Sequence, residues 1–244
     1  MKTVAASKTD TGKIAHHNED YVWIHEQAGV YIVADGMGGH EAGDVASRLS
    51  ATSVGQSLVM ALPDTPDTPG AMSAAMTNAI EKANYVVRQA SAEAEQVRRM
   101  GATIAVAVVR LPNVYIAHAG DARIYLATEK GLTQLTDDDS WVAQLAASGI
   151  ISDAERMNNR LSHIITKAIG QNTPVDAATG HVIVAPGNWL LLCSDGLWNM
   201  VDDTQILATL QNEKLPAPAV QSLVSAANAA GGKDNISVIA LKFE

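Results

Sequence analysis

Four short acidic segments constrain this chain more than any other feature: Asn18-Glu19-Asp20, Asp35-Gly36, Asp195-Gly196 and Asp234-Asn235. Three of them adjoin apolar, β-branched runs that read as strands. Val30-Tyr31-Ile32-Val33-Ala34 runs straight into Asp35, and Trp189-Leu190-Leu191-Leu192-Cys193 leads through Ser194 into Asp195. Asp234-Asn235 opens the last such run, Ile236-Ser237-Val238-Ile239-Ala240. A strand end is rigid, so a carboxylate placed there is aimed. Several such ends on adjacent strands bring like charges together, which is costly unless cations neutralise them. The expectation is a hard divalent cation site built from carboxylate oxygens rather than sulfur or imidazole.

Composition permits this and narrows the partners. At 244 residues with 47% hydrophobic content, a chain can bury roughly 70–75% of its unfolded surface, enough for a full core. The net charge of −9 disfavours nucleic acid or an anionic membrane as the main partner, either of which favours a basic surface. It leaves room for a phosphorylated substrate, because bound cations invert the local field. A single cysteine excludes an internal disulfide and a thiolate metal cluster. Residues 1–10 carry no apolar stretch of signal-peptide type, and no run approaches the roughly 20 apolar residues that span a bilayer. A cytoplasmic monomer is the expectation.

Hydrophobic patterning predicts short strands at Val4–Ser7, Tyr21–His25, Val30–Ala34, Thr103–Arg110, Val114–Ala119, Arg123–Thr128, His181–Val184, Trp189–Cys193 and Ile236–Lys242. The pair around Leu111-Pro112-Asn113 reads as an antiparallel hairpin. Helical spacing covers about Glu41 to Ala61, then about Ala71 to Met100, where Met72, Met76, Ile80, Ala83 and Val87 form one stripe. A third helix near Ala217–Ala229 ends at Gly231-Gly232. Helices grouped between sets of antiparallel strands suggest an α+β layered sandwich. We expect one domain over residues 1–244, with the polar segment at about 137–170 as a flap insertion.

Taken singly, the acidic segments are weak signals. Asp35 in Ala34-Asp35-Gly36-Met37-Gly38-Gly39-His40 is either a helix-capping acid in a glycine-rich turn or a metal ligand beside the Gly36 carbonyl. Asp195-Gly196 and Asp234-Asn235 also read as ordinary turns. Cys193 lies in an apolar strand and reads as core. His40 closes the glycine loop and titrates near neutrality, so it is either a general acid or a surface histidine. His25, His118 and His181 read as structural, and His163 is open.

Together with Ala119-Gly120-Asp121-Ala122-Arg123, the ordered set Asn18-Glu19-Asp20, Ala34 to His40, Ser194-Asp195-Gly196 and Lys233-Asp234-Asn235 resembles the metal-dependent protein phosphatase family, type 2C, and most of all its compact bacterial members. The resemblance runs from about residue 4 to 243. It implies a four-layer αββα sandwich with a central antiparallel β-sandwich holding two, possibly three, Mn²⁺ or Mg²⁺ ions at one end. By position, Asp35 bridges two ions with the Gly36 carbonyl on one of them, and Asp195 and Asp234 complete the other. Glu19 and Asp20 act mainly through metal-bound waters, and Asp121 with Asp195 marks a third, weaker ion. The implied activity is hydrolysis of phosphoserine and phosphothreonine in proteins, opposing a serine/threonine kinase. A water between two cations has a lowered pKa and attacks phosphorus in line, so no cysteine nucleophile is required.

Three positions depart from the family pattern. Ala15 stands where members usually carry a phosphate-gripping arginine, and a methyl group does not replace a bidentate guanidinium. Lys13, His16 or His17 supply positive charge there or are merely exposed. Asp139 stands where relatives often have histidine, and Lys167 where they often have arginine, which bears on substrate selectivity. Ala15 is also the one feature that favours a catalytically silent phosphoprotein-binding scaffold. A phosphohydrolase acting on small esters is the third reading.

Overall fold

The computed structural model describes residues 1–39, 41–93, 100–152, 155, 161, 164–171 and 173–244. Among them, ten strands form two antiparallel five-stranded sheets. The first sheet has the order β1 (Thr3–Asp10), β10 (Ile236–Phe243), β9 (Trp189–Cys193), β6 (Arg123–Thr128) and β7 (Gly131–Gln134). The second runs β2 (Asp20–His25), β3 (Val30–Met37), β4 (Gly101–Arg110), β5 (Asn113–Ala119) and β8 (Ala178–Ile183).

Side-chain alternation assigns each face. On β3, Val30, Ile32 and Ala34 point to the helices α1 (Glu41–Ala61) and α2 (Pro69–Glu93), meeting Val54, Leu58, Met72, Met76 and Ile80. The intervening Tyr31 and Val33 point to the opposite sheet, meeting Leu190, Leu192, Ile239 and Leu241. The outer face of that sheet, including Leu191, Cys193, Val238 and Ala240, packs on the short α4 (Asp195–Trp198), α5 (Asp203–Asn212) and α6 (Pro216–Ala229). The apolar character of β9 on every residue follows: both its faces are covered. The result is the four-layer αββα sandwich expected from the resemblance, with three apolar clusters between its four layers.

Differences from the expected elements have local causes. Strand β7 has one large apolar residue, Leu132, and is too short to show a period. Helix α5 adds to the expected elements: Asp202 caps it, its Oδ1 accepting from the Gln205 N–H at 2.8 Å, and Ile206 and Leu210 bury one turn apart. Strand β8 starts at Ala178, ahead of the expected His181, because it is a sheet edge whose residues are mostly exposed and carry no apolar alternation. The expected extension of the second helix over residues 94–99 lies outside the described residues.

The 137–170 segment follows β7 of the first sheet and leads on to the second, where β8 lies. Ser140 caps α3 (Trp141–Ala147), its Oγ accepting from the Ala143 N–H at 3.3 Å. Isolated bridges join Ser140 to Ile165 and Ile169 to Ala102 of β4, so the segment rests beside one end of the sandwich.

Candidate active site

That end is where the acidic segments meet. Asp20 heads β2 and pairs in register with Asp35 near the end of β3. The other sheet contributes Asp195, just past β9, and Asp234, just before β10. Asp121 follows β5. The carboxylates thus come from both sheets rather than from neighbouring strands of one. Glu19, Asp35, Gly36, Asp121, Asp195 and Asp234 share one cleft of about 400 Å³, and Ala15, His16 and His17 stand on its wall. Asp20 lies behind it, 5% exposed.

Burial and mutual repulsion push Asp20, Asp35, Asp121 and Asp195 up from their usual range. Asp20 is raised to about 7 by burial, with Asp195 and Asp234 adding to the effect against its hydrogen bonds. Asp195 is raised to about 7 by burial and by Asp234, and Asp121 to about 8 by burial and by Asp195. Asp35, buried and faced by Asp20, Asp195, Asp121 and Asp234, is raised well above the carboxylate range. The Asp35 carboxyl, beside that of Asp195, partly offsets the rise at Asp195. Among the described residues no three His, Cys, Asp or Glu side chains are gathered tightly enough to hold one ion between them; Asp35, Asp121, Asp195 and Asp234 line one cleft.

The donor chemistry fits hard divalent cations. It is all oxygen, strongly anionic, and includes two buried carboxylate atoms without a hydrogen-bond partner, Asp20 Oδ1 and Asp195 Oδ1. Gly36 fits as well. A Cβ there would strike the Gly43 carbonyl oxygen and come within 2.7 Å of the Glu19 carbonyl oxygen, so only glycine lets this backbone lie in the cleft. A Cβ on Gly43 of α1 would meet the Glu19 carboxylate, so this glycine leaves that side chain its place.

A polar scaffold holds the acids in place. Asn235 Oδ1 accepts from the Glu19 N–H at 2.7 Å, and its Nδ2 donates to the Thr11 and His17 carbonyls, both at 2.9 Å. This one side chain fastens the Asn18-Glu19-Asp20 loop to the start of β10. Ser194 Oγ donates to Asp20 Oδ2 at 2.6 Å and accepts from the Ser237 N–H at 3.0 Å. Near Asp121, the Trp198 indole N–H donates to the Asp121 carbonyl at 3.1 Å, and the Arg123 guanidinium lies 3.6 Å over the Trp198 ring. Arg123 also grips Asp138 with two bonds of 2.8 and 2.7 Å. Sequence reasoning passed over Ser194, Trp198 and the positioning part of Asn235, since their roles depend on partners far away in the chain.

The remaining expected residues fall as follows. His40 and His163 lie outside the described residues. His25 Nδ1 accepts from the Ala28 N–H at 3.1 Å and caps a turn; His181 stacks on Tyr115 at 4.8 Å; His118 is buried, 3.7 Å from Asp139. Cys193 is fully buried and its thiol is pushed far up by that burial. Asp139 and Lys167, the two departures in the 137–170 segment, pair at 3.4 Å, and Asp139 Oδ2 accepts from the Gly120 N–H at 3.2 Å.

Comparison with known proteins identifies the family. Residues 15–236 match the family model described as protein phosphatase 2C. A serine/threonine phosphatase stp of Listeria monocytogenes is 35% identical, covering 96% of this chain and 94% of its own length. A protein phosphatase PhpP of Streptococcus pneumoniae is 36% identical over 94% of this chain and 93% of its own. The solved catalytic domain of the serine/threonine phosphatase PstP, in complex with two manganese ions, superimposes with a TM-score of 0.84 at 30% identity, covering 98% of this chain and 97% of that one. On its sequence and on its fold, the chain belongs to the protein phosphatase 2C family.

Proposed function

We propose that this chain is a metal-dependent protein serine/threonine phosphatase that uses the cleft at the acidic end of the sandwich. The observation that carries this reading is the convergence of four aspartates and Glu19, drawn from two sheets, on one cleft, where burial and neighbouring carboxylates raise Asp35, Asp121 and Asp195. Asp35 with the Gly36 carbonyl, Asp195 and Asp234 would hold two ions, Glu19 and Asp20 would act mainly through ordered water, and Asp121 with Asp195 would hold a third. When bound, Mn²⁺ or Mg²⁺ supplies Lewis-acid stabilisation of the phosphoryl oxygens and lowers the pKa of water.

The protein's own residues do the positioning. Ser194 fixes the Asp20 carboxylate, and Asn235 fixes the backbone at Glu19, so the acids keep their separation as charge changes in the cleft. Cys193, sealed in the core, supports a route without a covalent phospho-enzyme. His40, beside the glycine turn, is our candidate for protonating the departing serine or threonine oxygen. Ala15, His16 and His17 border the place where the phosphate enters, so phosphate binding rests on fewer cationic contacts than an arginine gives.

We place the enzyme in the cytoplasm as a monomer of one catalytic unit over residues 1–244, with 137–170 inserted, opposing a protein kinase. No helix among the described residues is long and apolar enough to cross a membrane. The test is Mn²⁺-dependent phosphate release from a phosphothreonine peptide, wild type against Asp195→Asn. Release that needs metal and vanishes in the variant supports the reading. A folded, metal-binding protein that releases nothing is instead a phosphoprotein-binding relative.

A further inference from the structure

The cleft has a side exit. Met37 and Ile165 belong to its wall and also to the wall of a second groove of about 640 Å³. The far side of this groove is formed by Arg88 and Ala92 on the last turns of α2, and its floor by Met100 and Ala168. The groove is built rather than incidental. Ala102 and Ile169 exchange backbone hydrogen bonds of 3.0 and 2.9 Å, which fasten its floor to β4. The fully buried Asn84 of α2 accepts from the Gly170 N–H at 2.8 Å and donates to the Thr173 carbonyl at 3.2 Å. Gly170 has φ +96°, and a Cβ on it would strike the Met100 carbonyl. A Cβ on Gly101 would come within 2.7 Å of the Ile169 carbonyl. Two glycines and one asparagine therefore hold the walls at a fixed spacing, and a preformed groove costs a ligand little ordering.

We propose that this groove is a docking subsite for the protein substrate, taking an apolar side chain close in sequence to the phosphorylated residue, with an acidic residue beside it against Arg88. The proposal rests on the phosphatase reading of the cleft. Continuity selects the occupant: a phosphorylated residue seated among the carboxylates must send its own chain out of the cleft, and the groove begins at two residues that the cleft shares. Met37, Met100, Ile165 and Ala168 give it an apolar, adaptable lining suited to an aliphatic side chain. Arg88 is the one charged residue on its described lining, and it is exposed. In a chain of net charge −9, the Arg88 guanidinium at that rim selects for an acidic neighbour in the substrate.

The experiment uses phosphothreonine peptides that carry leucine or glycine, and glutamate or lysine, at positions on either side of the phosphorylated residue, with p-nitrophenyl phosphate as a substrate too small to reach the groove. In wild type with Mn²⁺, leucine together with glutamate on one side should raise kcat/KM about tenfold over glycine with lysine. Arg88→Glu should reverse the glutamate preference, and Ala92→Trp should remove the leucine preference, both with p-nitrophenyl phosphate turned over as in wild type. Equal rates across the peptides, or variants that slow peptide and small ester alike, overturn the subsite while leaving the phosphatase reading intact. Failure of wild type to hydrolyse any peptide or the ester overturns that reading, and the subsite with it.

Discussion

Asp195 shows how one residue serves both function and instability. Its carboxyl is raised to about 7 by burial and by Asp234, and its Oδ1 has no hydrogen-bond partner. Asp195→Asn keeps the shape and removes a charge. It should cut metal-dependent phosphate release by about 100-fold or more, because losing even a residue behind a metal ligand costs 10–100-fold. The same variant should melt at a higher temperature than wild type in EDTA, since a repelling carboxylate is gone. Melting curves with and without Mn²⁺ check the pair of effects; a variant that melts lower in EDTA would contradict the repulsive cluster. Ala15 makes the opposite case. It lies on the cleft wall, so Ala15→Arg should place a guanidinium against the substrate phosphate. A charge-assisted pair contributes about 1.5 kcal/mol or more, and KM for a phosphopeptide should fall about tenfold with kcat changed less. An unchanged KM would show that His16, His17 or the metals already satisfy the phosphate.

At the scale of elements, the cleft depends on how two sheets are tied at one end. Asn235 carries that junction with three hydrogen bonds from a side chain 5% exposed. Asn235→Ala should destabilise the protein by about 2–4 kcal/mol, since buried partners left unsatisfied cost about 1–3 kcal/mol each. It should also weaken Mn²⁺ binding by freeing Glu19. Exposed Asp234, one residue away, should behave differently: Asp234→Asn loses metal affinity with little effect on melting, and chemical denaturation of both variants distinguishes the two roles. This junction explains what was readable in the chain. The strands β3 and β9 and the helices α1 and α2 announce themselves because their periods are local. The acids were readable because each sits at the end of such a run. What escaped was nonlocal: the reach of Ser194 Oγ to Asp20, 174 residues away, and the seat of Trp198 under Arg123. The edge strand β7 and the first residues of β8 escaped for another reason, since an edge has no need of a continuous apolar pattern.

Across the whole molecule, the acidic end makes stability depend on pH in a direction opposite to that of ordinary salt-bridged carboxylates. Asp20, Asp195 and Asp121 ionise near 3.8 when unfolded and near 7, 7 and 8 when folded without metal. Between those values the folded state holds more protons than the unfolded state. Unfolding free energy must therefore fall as pH rises, by as much as about 1.4 kcal/mol per pH unit for each proton so held. The contribution is fully present below pH about 4 and is lost as pH climbs through about 7 to 8. In EDTA, wild type should lose stability over that window more steeply than Asp195→Asn, and the difference between the two curves isolates the cluster from every other titrating group. Metal reverses the trend. Cations bind the deprotonated acids and release their protons, so the increase in melting temperature caused by Mn²⁺ should grow from pH 5.5 to pH 8, with these pH values spanning roughly the titration of the cluster. A Mn²⁺ effect that shrinks with rising pH, or identical slopes for wild type and Asp195→Asn in EDTA, would mean that the carboxylates do not share a common field and that their convergence does not set the metal affinity.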